Sequence, residues 1–310
     1  MTLLKRRQLL LAKIESTYNT DPTPSASTDA IMVEELTWAN EGLKMIERPA
    51  VRPSLAALQQ IYGGRLVTIT FNVEVKGSGT NDVPPEIGQL LRACSFDEAI
   101  SAATSVTYEP VSTGHESITC YVYEDGKLIK VTGCRGNVVW TLEAGNKVMA
   151  AFTLTGHVTA QTDVALPAPT FDSTSPVPYI GGAFTIDGFS GVISNLNFDM
   201  GVTLAMPASV NGVDGFDEVS IVSRDVNGSI DPLDELVATE DYLDNFTSGK
   251  SMALATGAIG GSAGNILTIT MPAVYYRDAA PADRDGIAGL ALPFGAGENA
   301  TDDEVSIVFT

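Results

Sequence analysis

Histidine, tryptophan and cysteine are all scarce in this chain: two, two and three among 310 residues. With only His115 and His157, nucleophile–base catalysis has almost no base to draw on. Acid–base chemistry would fall to carboxylates, and spacing alone locates no such pair. Cys94, Cys120 and Cys134 are odd in number, fit no zinc spacing and form no Cys-x-x-Cys, which points to reduced core thiols in a cytosolic setting. No apolar run approaches the ~20 residues of a membrane-spanning helix. The opening residues 1–14 place basic side chains ahead of Leu9–Ala12, but Lys13 ends that stretch well short of a secretory core, so export is not expected. Positive charge is scarce as well: 18 Lys and Arg face 38 Asp and Glu, for a net −20. Residues 1–65 carry eight basic and seven acidic side chains, residues 66–165 six and eleven, and residues 166–310 four and twenty. The net charge therefore runs from +1 through −5 to −16 along the chain. Binding nucleic acid depends on Lys and Arg displacing phosphate counterions. An acidic surface of this kind fits plain solubility, and equally a surface that must not hold DNA.

What the chain does have is material for β-structure. Hydrophobic residues make up 44% and charged residues only 18%, glycine is frequent (29), and the apolar runs are short, a profile of a mainly β protein with many turns. The clearest element is Leu66–Lys76. Val67, Ile69, Phe71, Val73 and Val75 fall on one side, and Thr68, Thr70, Asn72, Glu74 and Lys76 on the other. A period of two over eleven residues predicts a strand with one buried and one wet face, unusually long at roughly 36 Å.

Four regions follow from composition. Residues 1–64 read as an N-terminal arm: an amphipathic helix over 3–16, a break at Asp21-Pro22 and Thr23-Pro24, a strand near Ala30–Leu36, and a second extended stretch at Glu47–Pro53. Such an arm packs either on its own domain or on a neighbouring subunit. Residues 65–162 form a first β unit. It holds a short helix at Pro84–Ala93, a strand at Ser105–Val111, a hairpin of Ser117–Tyr123 with Leu128–Thr132, and a hairpin of Asn137–Glu143 with Lys147–Thr155. Residues 163–182, with four prolines among Ser and Thr, read as a linker. Residues 183–310 repeat the strand–strand–helix–hairpin order: Val192–Met200, Glu218–Ser223, a helical Thr239–Phe246, Met252–Thr256 with Ile266–Met271, then Ile287–Pro293 and Glu304–Phe309.

Three local patterns suggest chemistry and lose to simpler readings. Gly260–Gly264 fits G-x-S-x-G, but a strand follows where a hydrolase elbow needs a helix. Asp244–Ser251 ends like a phosphate loop but begins with Asp244 in place of glycine. Ser223–Asp234 partly matches a calcium loop through Asp225, Asn227, Gly228, Asp231 and Asp234, yet it starts with Ser, ends with Asp and follows a strand. No catalytic residue, cofactor site or metal site is assigned.

The head of the chain, Arg6–Pro24, resembles the start of the major tail tube proteins of long, non-contractile-tailed bacteriophages. So do Glu47–Pro53 followed by Leu66–Lys76, and the segments Leu90–Cys94, Cys134–Asn137 and Gly228–Pro232. The resemblance implies a β-sandwich tail-tube fold with a short flanking helix, here as two tandem tube-like units, whose inner strands join into a β-barrel across subunits. It also implies a structural virion protein, not an enzyme, assembled in the host bacterial cytoplasm. Three chains per ring is the favoured arrangement and six the alternative. The implied partners are the chain itself, the tape measure protein, the tail terminator and the distal tail proteins, with DNA passing through the lumen unbound and no membrane involved. By residue type Thr68, Thr70, Asn72, Glu74, Asn195, Asn197 and Asp199 are expected to line that lumen. Leu4, Leu11, Ile14, Tyr18, Pro22 and Pro24 of the arm are expected to make contacts between rings. The rival reading is a receptor- or carbohydrate-binding β-sandwich of the tail, for which Trp38 and Trp140 would have to be exposed platforms.

Overall fold

The computed structural model describes residues 3–310 and is built almost wholly of antiparallel strands. The first 65 residues give β1 (Gln8–Ile14), β2 (Ala30–Ile31), β3 (Glu34–Glu41) and a small hairpin of β4 (Met45–Ile46) and β5 (Ile61–Tyr62). Next come β6 (Leu66–Glu74), α1 (Gly88–Arg92), β7 (Phe96–Ser101), β8 (Ser105–Pro110), β9 (Ile118–Glu124), β10 (Lys127–Glu143) and β11 (Met149–Asp163). After 164–184, which holds no strand or helix, follow β12 (Thr185–Ile186), β13 (Asn195–Asp199), β14 (Thr203–Ala205), β15 (Ser220–Ser223) and β16 (Asn227–Ile230). The chain ends with α2 (Tyr242–Thr247), β17 (Met252–Ala255), β18 (Leu267–Tyr276), β19 (Ala280–Arg284), β20 (Ile287–Ala296) and β21 (Ser306–Phe309).

One wall runs β3-β6-β11-β10-β13-β16-β20. From β20 the ladder turns through β18 and β21 to β8 and β7, and so folds a second layer over the first. The amino-terminal half of β10 carries a branch, β9-β1-β2. Among the described residues these pairings branch but never return to their start, so the single chain is an open, folded sheet, not a closed barrel. Both sequence halves contribute to it: β13 joins β10, and the last strand, β21, joins β8.

The core lies between the layers. The predicted alternation is present over Val67–Glu74: Val67, Ile69, Phe71 and Val73 are buried and Thr68, Thr70, Asn72 and Glu74 half-buried; the strand ends at Glu74, and Leu66 and Lys76, expected on the wet side, are buried. Because paired residues of antiparallel strands share a face, the dry side continues through Phe152 and Ala150 on β11, Val138, Trp140 and Leu142 on β10, and Leu196 and Phe198 on β13. Phe71 stacks on Phe152 at 5.6 Å between ring centroids, and Trp140 on Phe198 at 5.7 Å.

Two expectations are corrected. The helix over 3–16 is the strand β1. Leu9–Ala12 is a continuous apolar run because β1 is covered on both faces: Leu10 and Ala12 enter the main core, while Leu9 and Leu11 pack with Tyr121, Tyr123 and Leu128. Such a run looks the same in a buried helix and a buried strand, and here pairing with β9 and β2 decides. The two separate hairpins of the first unit share one strand, β10, bent at a bulge near Thr132–Arg135. Gly133 sits there at φ +62°, where an added Cβ would lie 2.8 Å from the Tyr18 ring. The Ser223–Asp234 segment, set aside above as a calcium loop, contains β16, held between β13 and β20. Successive side chains of a strand point to opposite faces and do not converge on an ion.

Phe152→Ala removes a ring 1% exposed at the centre of the wall. It is expected to cost about 3–5 kcal/mol of stability, seen as a lower urea midpoint with an unchanged slope.

Candidate functional site

The two groups of polar residues picked out in distant parts of the sequence lie on one face of one sheet. On β6, Thr68, Thr70, Asn72 and Glu74 sit opposite Thr155, Thr153, Ala151 and Met149 of β11. Those in turn oppose Arg135, Asn137, Val139 and Thr141 of β10. Val139, Thr141 and Glu143 oppose Asp199, Asn197 and Asn195 of β13. The row ends on Asn227 and Ser229 of β16. The result is a face of threonine and asparagine with a few carboxylates, about as wide as the fold itself.

Its side chains bond mostly to each other. Thr37 and Thr70 hydroxyls meet at 2.6 Å and Thr68 and Thr155 at 3.0 Å. Asn72 donates to Glu35 at 3.1 Å, and Asn137 donates to Asp199 at 2.6 Å. The cations at its two ends are engaged. Lys147 is hydrogen-bonded to Glu34 and lies 3.6 Å from Glu74, contacts that raise its pKa, led by the Glu34 bond. Arg135, 7% exposed, pairs with Glu218 and donates to the carbonyls of His115, Glu116 and Val219. A cation already satisfied by carboxylates has little left to offer a phosphate.

Of the arm residues, Leu4 is exposed, Leu11 is 1% exposed inside β1, Ile14, Tyr18 and Pro22 are half-buried, and Pro24 is buried. Tyr18 ties the arm to the wall. Its hydroxyl lies 3.0 Å from His157 Nε2 and accepts from the Val219 N–H at 2.7 Å, while His157 Nδ1 lies 2.6 Å from Asp214. Burial holds the Tyr18 phenol protonated, its pKa pushed far up. This Tyr–His–Asp chain resembles a catalytic relay but contains no nucleophile. It fastens residues 18 and 214–219 to β11.

The other candidates do not assemble into chemistry. His115 lies 3.4 Å from Ser95 Oγ, and burial, followed by the charges of Arg135 and Arg224, lowers its pKa. Ser95 itself is fully buried. Ser262 lies in the turn between β17 and β18, and Lys250 pairs with Asp187 at 2.6 Å. Asp225 pairs with Arg277, and Asp231 with Arg284. Among the described residues no group of three or more His, Cys, Asp or Glu is placed to hold a metal, and no helix is long and apolar enough to cross a membrane. Trp140 is fully buried, and Trp38 is half-buried and donates to Glu124, so neither is an exposed platform. Sequence reasoning did not assign Asn137, Thr141 and Thr153 to the polar face. Alternation in Asn137–Glu143 shows a two-faced strand but not which neighbour it meets.

Comparison with protein-family models matches residues 5–304 to the family described as phage tail tube protein. The chain belongs to the phage tail tube family. It is therefore a structural component of a phage virion tail, one that assembles with itself and with other tail parts into a tube. No curated protein matches the chain.

Tyr18→Phe removes the partner of the Val219 N–H and of His157 Nε2, while His157 Nδ1 keeps Asp214, and is expected to cost about 1–3 kcal/mol. Thermal unfolding of the variant against the parent chain measures it.

Proposed function

We propose that this chain stacks into rings whose polar faces line the conduit through which DNA leaves the virion. The observation carrying this reading is the convergence of Thr68, Thr70, Asn72, Glu74, Asn195, Asn197 and Asp199 on one face, with Lys147 and Arg135 held by carboxylates at its ends. DNA slides where it finds weak polar partners and no free cation. The margin at β3 supports assembly: among the described residues its outer edge has no partner strand. An open edge is a template for another chain, and a closed ring removes it.

The division into an arm (1–64), two tube-like units (65–162 and 183–310) and a joining segment (163–182) fits a ring of three. Each chain gives strands from both halves to a single seven-stranded wall, twice the share of a one-unit subunit. Six chains per ring is the alternative, and native mass measurement of an isolated ring separates them. The tape measure protein, tail terminator and distal tail proteins are the remaining partners, met during assembly in the host bacterial cytoplasm.

Glu74→Lys places a cation on the face and removes one of the two carboxylates beside Lys147, leaving Glu34. Tubes are expected to form with normal appearance in negative stain, while genome delivery falls. Unchanged infectivity would remove Glu74 from the lumen.

A further inference from the structure

Two asparagines of this chain are followed by glycine, in Asn211-Gly212 and Asn227-Gly228. Such a pair has a chemistry of its own. The glycine backbone nitrogen, unhindered by a neighbouring Cβ, loses its proton to hydroxide and attacks the asparagine Cγ. The Nδ2 amine leaves as ammonia, and water opens the cyclic imide to aspartate or isoaspartate. The step needs a glycine N–H that is not engaged and a backbone free to bring the side chain onto it.

The two pairs stand in opposite surroundings. Gly228 lies in β16, which is paired on both edges, and Asn227 Nδ2 donates to the Asp225 carbonyl at 2.9 Å. Reaction there first needs local opening of the ladder. Asn211 is exposed in the loop between β14 and β15. Among the described residues its only bond runs from its backbone N–H to Ser209 Oγ at 3.3 Å, and the Gly212 N–H donates to nothing. Glycine at 212 is required by the fold, because an added Cβ would overlap the Phe216 carbonyl oxygen. The reactive nitrogen is therefore built into the loop.

This loop also holds part of the arm in place. It is closed by the Ser209 N–H bond to the Gly215 carbonyl, 3.1 Å, and the Gly215 N–H bond to the Gly212 carbonyl, 3.0 Å. It presents Asp214 to His157, and through it to Tyr18. Asp217 and Glu218 follow, and the cation paired there is Arg135, on Glu218.

We propose that Asn211 is a site of spontaneous deamidation whose product loosens the tie from Asp214 through His157 to Tyr18. Isoaspartate lengthens the backbone by one methylene inside a turn held by two bonds. Either product adds a carboxylate close to Asp214, Asp217 and Glu218, where like charges repel. The change needs only water and hydroxide and does not reverse to the amide, so it accumulates with the age of the protein. It rests on the loop and not on the lumen reading.

The test keeps the purified full chain in mildly alkaline buffer beside a sample unfolded in urea, until both Asn-Gly pairs of the unfolded sample have converted. Peptide mapping by mass spectrometry reads each conversion as a gain of one mass unit; Asp214-Gly215 in the same loop can only isomerise, without a change of mass. In the folded chain Asn227 is expected to convert at least about tenfold more slowly than Asn211. Asn211 unconverted in the folded chain, or both sites converting alike, overturns the proposal. Thermal unfolding reads the consequence. The aged parent chain is expected to unfold about 2–4 °C below fresh protein, and Asn211→Ser, aged alike, to keep its own fresh midpoint. A converted parent chain with an unchanged midpoint, or an equal loss in Asn211→Ser, overturns the loosening. In Tyr18→Phe, where the tie is already broken, ageing is expected to lower the midpoint less. An undiminished loss there overturns the link to Tyr18.

Discussion

The structure depends on the pairing of one strand with three neighbours. The seventeen residues of β10 carry β9 on one edge of their first half and β13 on the same side of their second, with β11 along the other edge. A straight strand could not change partners in this way. The bulge at Thr132–Arg135 bends it, and Gly133 permits the bend through a left-handed conformation against the Tyr18 ring. β-bulges re-aim a strand and sharpen its twist. Here that bend lets the arm strand β1 and the second half of the chain join one sheet without competing for the same edge.

From that join follows the division into a dry and a wet face. Every strand of the wall obeys the same alternation, so one register error would turn a buried aromatic toward water. The stacked pairs Phe71–Phe152 and Trp140–Phe198 lie on the dry face at neighbouring strand crossings. The wet face is set by the same registers, and that is why polar residues about 120 positions apart meet on one surface. Its uniformity has a chemical consequence. Short hydroxyl and amide side chains bonded to each other, with Lys147 and Arg135 bound to carboxylates, leave little free positive charge on this face.

The chain's charge is distributed to match. Among the described residues, four of the seven basic side chains outside ion pairs, Lys44, Arg48, Arg52 and Arg65, lie at 42–65, and the acidic surplus lies in the second half. A protein of net −20 repels its own copies at long range. The edge of β3 adds hydrogen-bonding capacity at the side of the subunit.

The sequence by itself determined the strands with strict alternation, Leu66–Glu74 above all, and the residue types of the wet face, because a period of two is a local property of the chain. It also determined the turn character of Gly260–Gly264 and the burial of the three cysteines, through flanking residues and composition. It misread β1 because an apolar run covered on both faces carries no period. It missed β16 because Asn227–Ile230 has almost no side-chain signal of its own and is a strand only between β13 and β20. Only the tertiary structure decided that Thr68–Glu74 and Asn195–Asp199 share a face and that β21 closes onto β8. These are matters of pairing between distant segments, fixed by burial of the common core and not by any short stretch of residues.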